Sequence, residues 1–290
     1  MLYDNTSMPA HPTSAPGARP DQAPQAIPLS WWLVALALVV AGALLHGSPW
    51  NQAALLWGNS PGRLPDDVWA GLTLLAFGWA ALILVAAADR GVEGGRAVLL
   101  AFLLGGGLSQ VLKAWFGQPR PGLVLPEGAL HFIGNPVLHS PSMPSGHALA
   151  AFSIATLWVC LLRRDGRSRW LQALAWALGA AMAFSRVAVG AHWPADVLVG
   201  AGLGLAIAAL CWQLQARWLR HGGWMSVWVP LVAVELLGAL AAFTAREGYP
   251  QVQVLQWALG LTALASAGWR LATHLGQRRY LPMTADSGTR

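Results

Sequence analysis

The chain has 290 residues, of which 56% are hydrophobic and only 10% are charged, and its mean hydropathy is +0.48. A soluble domain is rarely so apolar, so the composition favours a protein embedded in a lipid bilayer. The formal charge of +6 comes from short basic clusters between apolar runs rather than from one polar face, which argues against nucleic acid as a partner.

Residues 1–29 carry six prolines among Ala, Ser, Thr and Gln, a composition that cannot bury a core. We expect a disordered tail there. The segment lacks a basic stretch that leads straight into a short apolar core, so the first apolar run is expected to be an uncleaved anchor.

Apolar runs of roughly the length needed to cross the hydrocarbon core follow from Trp31 onward. Each is expected to be a helix, since a segment in lipid must satisfy its own backbone hydrogen bonds. The glycines between Gly200 and Gly204 favour close helix packing. The fold class is therefore predicted to be an all-α polytopic membrane protein with about eight transmembrane helices, at 31–46, 68–88, 97–113, 147–162, 170–190, 194–214, 224–243 and 252–271.

Basic residues are unequally divided between alternate loops. If the N-terminus is cytoplasmic, thirteen of the eighteen basic side chains fall on the cytoplasmic side. Because positive charge concentrates on that side, both termini are predicted to be cytoplasmic in a membrane of the bacterial inner type.

Three polar segments fall on the opposite, periplasmic face. The first runs from Lys113 to Arg120-Pro121 after the third run, and the second is Pro144-Ser-Gly-His147 before the fourth. The third runs from Ser185 to Asp196 between the fifth and sixth runs. They bring cations, histidines and a carboxylate to one membrane surface.

The three cations Lys113, Arg120 and Arg186 suit a multiply charged oxyanion. Phosphoryl transfer spreads negative charge over the equatorial oxygens of phosphorus, and fixed positive donors stabilise it. Pro121 keeps Arg120 out of the helical conformation, which directs its guanidinium away from lipid. An isolated cation at a helix end more often reaches toward lipid headgroups, but here the outer face has few other cations.

The two histidines suggest complementary roles. Ser145 is a good N-cap, and Gly146 lets an anion approach the free N–H groups of a helix start. His147 in the first turn is placed to protonate a leaving oxygen. Asp196 lies four residues after His192, with Pro194 at a plausible first helical position, so it can orient the imidazole and leave the other ring nitrogen to attack phosphorus.

Together these spacings resemble the complete signature of the type 2 phosphatidic acid phosphatase family: Lys, six residues, Arg-Pro; Pro-Ser-Gly-His; Ser-Arg, five residues, His, three residues, Asp. The resemblance covers about residues 68–215. It implies that His192 is the nucleophile, Asp196 its partner and His147 the general acid, with no cofactor. It also implies a phosphoryl group bound by Lys113, Arg120, Ser145, Gly146 and Arg186.

The resemblance also implies a division of the chain. Residues 30–215 would form a six-helix phosphatase core, and residues 216–290 would add two membrane helices and a basic cytoplasmic tail, which the family pattern does not require. The expected partners are the membrane and a lipid phosphate or pyrophosphate, with specificity in the helices and in the loop 122–143. The sequence indicates neither the lipid nor the oligomeric state.

Other functions use some of the same residues. Two histidines and Asp196 could ligate iron or zinc, but three nearby cations disfavour a bound metal. A lipid phosphotransferase would use the same site with a different acceptor. A transporter or a non-catalytic phospholipid-binding protein would suit the apolar helices and Glu235, although neither needs a His–Asp pair beside a second histidine. Glu235 is expected to be neutral and packed, with pairing between helices or a functional role as alternatives.

Overall fold

The structure, a computed structural model, describes residues 26–62, 64–89, 91–135, 139–218 and 225–279. The predicted tail lies outside these ranges except for residues 26–29, and the last part of the basic C-terminal segment also lies outside them.

The described residues form eleven α-helices and one 3₁₀ turn, and contain no strand, which confirms the all-α prediction. The 3₁₀ turn, Pro250–Val252, leads into the last helix. In chain order the helices are α1 (Leu29–Leu45), α2 (Pro49–Gly58), α3 (Asp66–Leu75), α4 (Gly78–Ala88), α5 (Glu93–Phe116), α6 (Pro121–Val124), α7 (Gly146–Arg164), α8 (Arg169–Ala188), α9 (Pro194–Trp218), α10 (Met225–Thr244) and α11 (Gln253–Arg279).

The helices make this a multi-span membrane protein. Over the described residues α5, α7, α8 and α9 are each long and apolar enough to cross a bilayer. Two bent pairs, α1–α2 at 106° and α3–α4 at 73°, raise the number to six if each pair is one span. The predicted count of about eight is not confirmed, because α10 and α11 do not meet the same length and hydropathy criteria over their described residues.

α9 lies at the centre of the bundle, in contact with α1, α5 and α7. Its glycines make this possible, as the sequence predicts. A methyl group added at Gly200 would clash with the Ser145 carbonyl, and one at Gly204 would clash with Leu149. On the other side, a Cβ at Gly202 would lie 2.6 Å from the Ala35 carbonyl oxygen of α1.

Two bends depart from the straight helices expected from the apolar runs. The run at 68–88 breaks at Ala76 and Phe77, because α3 packs on α8 whereas α4 packs on α5, α7 and the two C-terminal helices. α2, which hydropathy does not predict, begins at Pro49 and turns back toward α8 and α9.

At the end of the bundle opposite the predicted site, charged side chains join three helices. The carboxylate of Asp89, just after α4, accepts hydrogen bonds from the backbone N–H groups of Gly91 and Gly94. It also pairs with Arg164 of α7 at 2.9 Å, and Arg164 pairs with Glu93 of α5 at 2.9 Å.

Glu235 is not the neutral packed side chain expected from the sequence, because it is paired between helices. Its Oε1 lies 3.0 Å from Arg270 Nε and accepts a hydrogen bond from Ser266 of α11 at 2.6 Å. The other guanidinium nitrogens of Arg270 donate to the carbonyl groups of Ala86, Asp89 and Gly91. This buried pair therefore joins α10 and α11 and attaches both to the end of α4.

Candidate active site

The three polar segments meet at one end of the bundle. α5 ends at Phe116, where Gly117 is its C-cap in the left-handed region, with φ of 57°, and Arg120 is extended before Pro121, as predicted. Lys113 lies in the last turn of α5, where its Nζ donates to the Pro141 carbonyl at 3.1 Å.

Arg120 is buried and held by three fixed acceptors. Its Nε and Nη2 donate to the carbonyl and the hydroxyl of Ser140, at 3.0 and 2.9 Å, and Nη1 donates to the Ala191 carbonyl at 2.9 Å. Nη1 also lies 3.2 Å from Nε2 of His192.

These contacts fix the tautomer of His192. An arginine can only donate, so Nε2 accepts and the ring proton of the neutral imidazole is on Nδ1. Nδ1 lies 3.3 Å from Oδ2 of Asp196 and donates to it. The predicted His–Asp pair is therefore formed, and the lone pair of Nε2 faces the cations.

Asp196 is fully buried at the start of α9. Its Oδ2 also accepts from the Ser142 hydroxyl and, at 3.0 Å, from the backbone N–H of Trp193. Pro194 is the first residue of α9, as predicted, and Asn51 of α2 accepts from the Ala195 N–H at 3.0 Å. Side chains thus satisfy two free N–H groups at this helix start.

The Pro-Ser-Gly-His segment opens α7, with Ser145 as the predicted N-cap accepting from the Ala148 N–H at 3.3 Å. A methyl group added at Gly146 would meet only Ser109 Oγ at 3.7 Å, which is ordinary contact, so space remains beside it. The His147 ring is edge-on to Phe77, with ring centroids 4.3 Å apart. Its buried Nε2 has no hydrogen-bond partner among the described residues.

Arg186, in the last turn of α8, brings the third cation and also fixes the loop that follows. Its carbonyl accepts from the backbone N–H groups of Ala191 and His192, at 3.1 and 3.2 Å. Its Nη1 donates to Thr73 of α3 at 3.2 Å and to the Tyr249 hydroxyl at 3.0 Å. All eight predicted site residues are thus in or beside the segments that meet at this end.

Burial and positive charge favour the unprotonated form of His192. Desolvation holds the pKa of its imidazole well below the ordinary value of 6.5, and the charges of Arg120, Arg186 and Lys113 lower this pKa further. A neutral imidazole beside three cations is suited to attack an electrophile that carries negative charge.

A cavity of about 290 Å³ begins at this cluster and continues between α4, α5 and α7. Lys113, Arg120, His147 and His192 line one part of it. The remaining wall consists mainly of small and apolar residues, among them Ala76, Ala81, Ala101, Phe102, Gly105 and Gly106. The cavity therefore joins a cationic site to an apolar space inside the membrane region.

Among the side chains that support the site, sequence reasoning missed Ser140, Ser142, Thr73 and Tyr249. The nearness of Ser140 and Ser142 to the Pro-Ser-Gly-His segment was a signal for these two serines. Thr73 lies within an apolar run and Tyr249 in a short connection, where no motif marks them. No group of three or more His, Cys, Asp or Glu among the described residues is arranged to hold a metal ion.

A sequence profile of the PAP2 superfamily matches residues 94–220, the region that carries the motifs. The undecaprenyl-diphosphatase of Sulfolobus acidocaldarius is 31% identical over 177 residues, which cover 58% of this chain and 74% of the relative. The putative undecaprenyl-diphosphatase YbjG of Escherichia coli is 30% identical over 218 residues, or 72% and 86% of the two chains.

A similar architecture occurs in a solved structure. The crystal structure of Aquifex aeolicus LpxE matches with a TM-score of 0.50 and 25% identity, covering 58% of this chain and 97% of that one. The two diphosphatase relatives are at least 30% identical and are covered over more than two thirds of their length, and the motifs lie together at one end of the bundle. The chain therefore belongs to the PAP2 superfamily.

Proposed function

We propose that this protein is a membrane phosphatase that hydrolyses a lipid phosphate or pyrophosphate through a phosphohistidine at His192. The observation that carries the proposal is the cavity, which continues from the cationic cluster into an apolar space between α4, α5 and α7. A phosphate group fits the first part and a hydrocarbon chain the second, so the substrate need not leave the membrane.

In the first step, Nε2 of His192 attacks phosphorus and the bond from phosphorus to the leaving oxygen breaks. Asp196 stabilises the imidazolium through its bond to Nδ1, and His147 supplies the proton that the leaving oxygen takes up. In the second step, water attacks the phosphohistidine while His147 accepts a proton from it, which releases inorganic phosphate and restores His192.

Positive charge stabilises both transition states. Lys113, Arg120 and Arg186 surround the transferred group, and the backbone N–H groups that follow Ser145 and Gly146 at the start of α7 donate to its oxygens. Without substrate, Nη1 of Arg120 donates to Nε2 of His192. The arriving phosphate takes over that donor, so binding itself frees the nucleophile.

Related proteins support the substrate class. Two of the relatives are named for undecaprenyl diphosphate, a long prenyl pyrophosphate. A third is the lipid A 1-phosphatase of Porphyromonas gingivalis, 32% identical over 111 residues, which cover 38% of this chain and 21% of that relative. All three names describe a phosphate carried on a lipid. The distribution of basic residues favours an inner-membrane protein with its site on the periplasmic side and both termini cytoplasmic.

Phosphate release from the purified protein tests the proposal. The substrates would be a prenyl pyrophosphate, phosphatidate, phosphatidylglycerol phosphate and a lipid A phosphate, with glucose 6-phosphate as the soluble control. We expect the preferred lipid to exceed the soluble ester by at least about a hundredfold in kcat/KM, or ~3 kcal/mol, because binding of the chain positions the headgroup.

The variant His192→Ala should insert normally and release no phosphate, and wild type should form an acid-labile phosphoenzyme that this variant lacks. Full activity of His192→Ala would exclude the phosphohistidine route. Equal rates on lipid and soluble esters would exclude the lipid assignment alone, whereas no release from any substrate would favour a binding protein or transporter.

A further inference from the structure

The guanidinium of Arg186 has two acceptors at one nitrogen and, within the described part of the chain, lacks an acceptor at another. Arg186 is only 3% exposed, and its Nη1 donates to Tyr249 at 3.0 Å and to Thr73 at 3.2 Å. Its Nε is buried and has no hydrogen-bond partner among the described residues. A buried guanidinium N–H without an acceptor is costly, and an oxyanion bound beside it would remove that cost.

The hydrogen bonds that lead from Arg186 through Thr73 to Ser185 are all donated in the same direction along the chain of hydroxyl groups. The Ser185 hydroxyl donates to the Met182 carbonyl at 2.6 Å, so the 2.7 Å contact between Thr73 and Ser185 must be donated by Thr73. Thr73 therefore offers a lone pair to Arg186. The Tyr249 oxygen accepts as well, since arginine can only donate, so Nη1 has two fixed acceptors whereas Nε has none among the described residues.

Packing fixes the position of the Tyr249 hydroxyl. The ring is buried in a small cluster with Leu74 of α3, Ile133 and Val189. Because Gly134, with φ of 77°, has no side chain, the loop between α6 and α7 lies flat against this ring. The Asn135 N–H of this loop donates to the Gly248 carbonyl at 3.0 Å. Tyr249 therefore cannot move away from Arg186 without disrupting the loop between α6 and α7.

We infer that Tyr249 is a positioning residue of the phosphate site and acts through Arg186. This deepens the proposed function and rests on it. The tyrosine belongs to the connection between α10 and α11, beyond the segment 94–220 that matches the family profile. The C-terminal helix pair thereby supplies part of the apparatus that aims a phosphate-binding cation.

The variant Tyr249→Phe tests this, because it keeps the packed ring and removes only the acceptor. Binding of orthovanadate, a mimic of five-coordinate phosphorus, would be followed by the rise in melting temperature of the purified protein. We expect Tyr249→Phe to weaken vanadate binding about tenfold and to raise KM about tenfold. The melting temperature without vanadate should stay close to that of wild type.

A second background separates positioning from a general structural role. In Arg186→Lys the charge remains but Nη1 is gone, so adding Tyr249→Phe to it should have no further effect on vanadate binding. Glu247→Gln is the matched control, because Glu247 lies in the same connection and bonds to Trp79 at 2.7 Å rather than to Arg186. It should bind vanadate as wild type does.

Equal weakening by Tyr249→Phe in the wild-type and Arg186→Lys backgrounds would overturn the inference, and so would a loss of the same size in Glu247→Gln. If wild type and Tyr249→Phe bind vanadate equally well, the inference fails and the proposed function stands. If wild type neither binds vanadate nor releases phosphate, both fail.

Discussion

Each ring nitrogen of His192 has a fixed partner, and the two partners carry opposite charges. Oδ2 of Asp196 accepts from Nδ1 at 3.3 Å, and Nη1 of Arg120 lies 3.2 Å from Nε2. The imidazole is therefore oriented before any substrate arrives. Such orientation lowers the cost of reaching the transition state, since no ring rotation or proton shift must precede attack.

The lowered pKa of His192 has a consequence for the pH dependence of the reaction. The neutral imidazole is the reactive form, and a lowered pKa means that it persists as the pH falls through 6.5. We expect the acid limb of kcat/KM that reports His192 in the free enzyme to lie below pH 6.5. The variant Arg186→Ala should move that limb to higher pH, because it removes one of the charges that lower the pKa of His192.

The phosphate groups of the substrates also titrate, so this measurement needs two substrates as a control. Profiles would be recorded for a lipid monophosphate and for a lipid pyrophosphate, because a limb that belongs to the substrate differs between the two. A limb at or above pH 6.5 that is the same for both substrates would contradict the expectation.

At this scale the sequence predicts the residues that share a motif, because family spacing fixes their order and capping rules fix their local geometry. Ser145 as the N-cap of α7 and Pro194 as the first residue of α9 both follow from short-range rules. Ser142 and Tyr249 do not, because their contacts join positions 54 and 63 residues apart along the chain.

Among the elements, α5 contributes to both parts of the cavity. Its last turn carries Lys113, and Gly106, two turns earlier, lies in the apolar wall. A Cβ added at Gly106 or at Gly107 would meet no atom within 4 Å, but Gly107 does not line the cavity. The two neighbouring glycines form a matched pair for testing what the cavity holds.

We expect Gly106→Leu to obstruct the hydrocarbon chain of the substrate. Its kcat/KM for a sixteen-carbon lipid phosphate should fall about tenfold, or ~1.4 kcal/mol, with little change for a chain short enough to stop before residue 106. Gly107→Leu should leave both substrates nearly unchanged, although it changes helix propensity to the same extent. Equal losses in the two variants, or a loss independent of chain length, would show that the chain lies elsewhere.

Hydropathy predicts where apolar helices occur but not where they bend. The run at 68–88 is continuous in sequence, and yet it breaks at Phe77, whose ring then lies against His147. The break depends on which neighbours each half contacts, and a one-dimensional apolar pattern carries no such information. α2 is missed for a different reason, because it is too short and mixed in polarity to register as a span.

For the whole molecule, the division of basic residues predicts which end of the bundle faces the periplasm. Glu127 and Ser168 are exposed and lie at the site end and the opposite end, respectively. Both natural cysteines, Cys160 and Cys211, are buried, so they should contribute little background to thiol labelling.

We expect Glu127→Cys to react with a membrane-impermeant maleimide in intact spheroplasts, and Ser168→Cys to react only after the membrane is opened. Phosphatase activity of each variant should remain, which checks that the protein is folded. The reverse labelling pattern would put the site in the cytoplasm and remove outer-leaflet lipids from the set of substrates.

The pair between Glu235 and Arg270 bears on how the chain enters the bilayer during synthesis. Glu235 lies midway along α10, where a lone charge in an isolated membrane helix costs ~2.5 kcal/mol or more, but Arg270 lies 3.0 Å from it once α10 and α11 lie side by side. The two helices are therefore expected to leave the insertion machinery as one hairpin rather than one after the other. Over its described residues α11 considered alone is too polar to meet the criteria for a span, but in the hairpin the charge of its Arg270 is paired with Glu235.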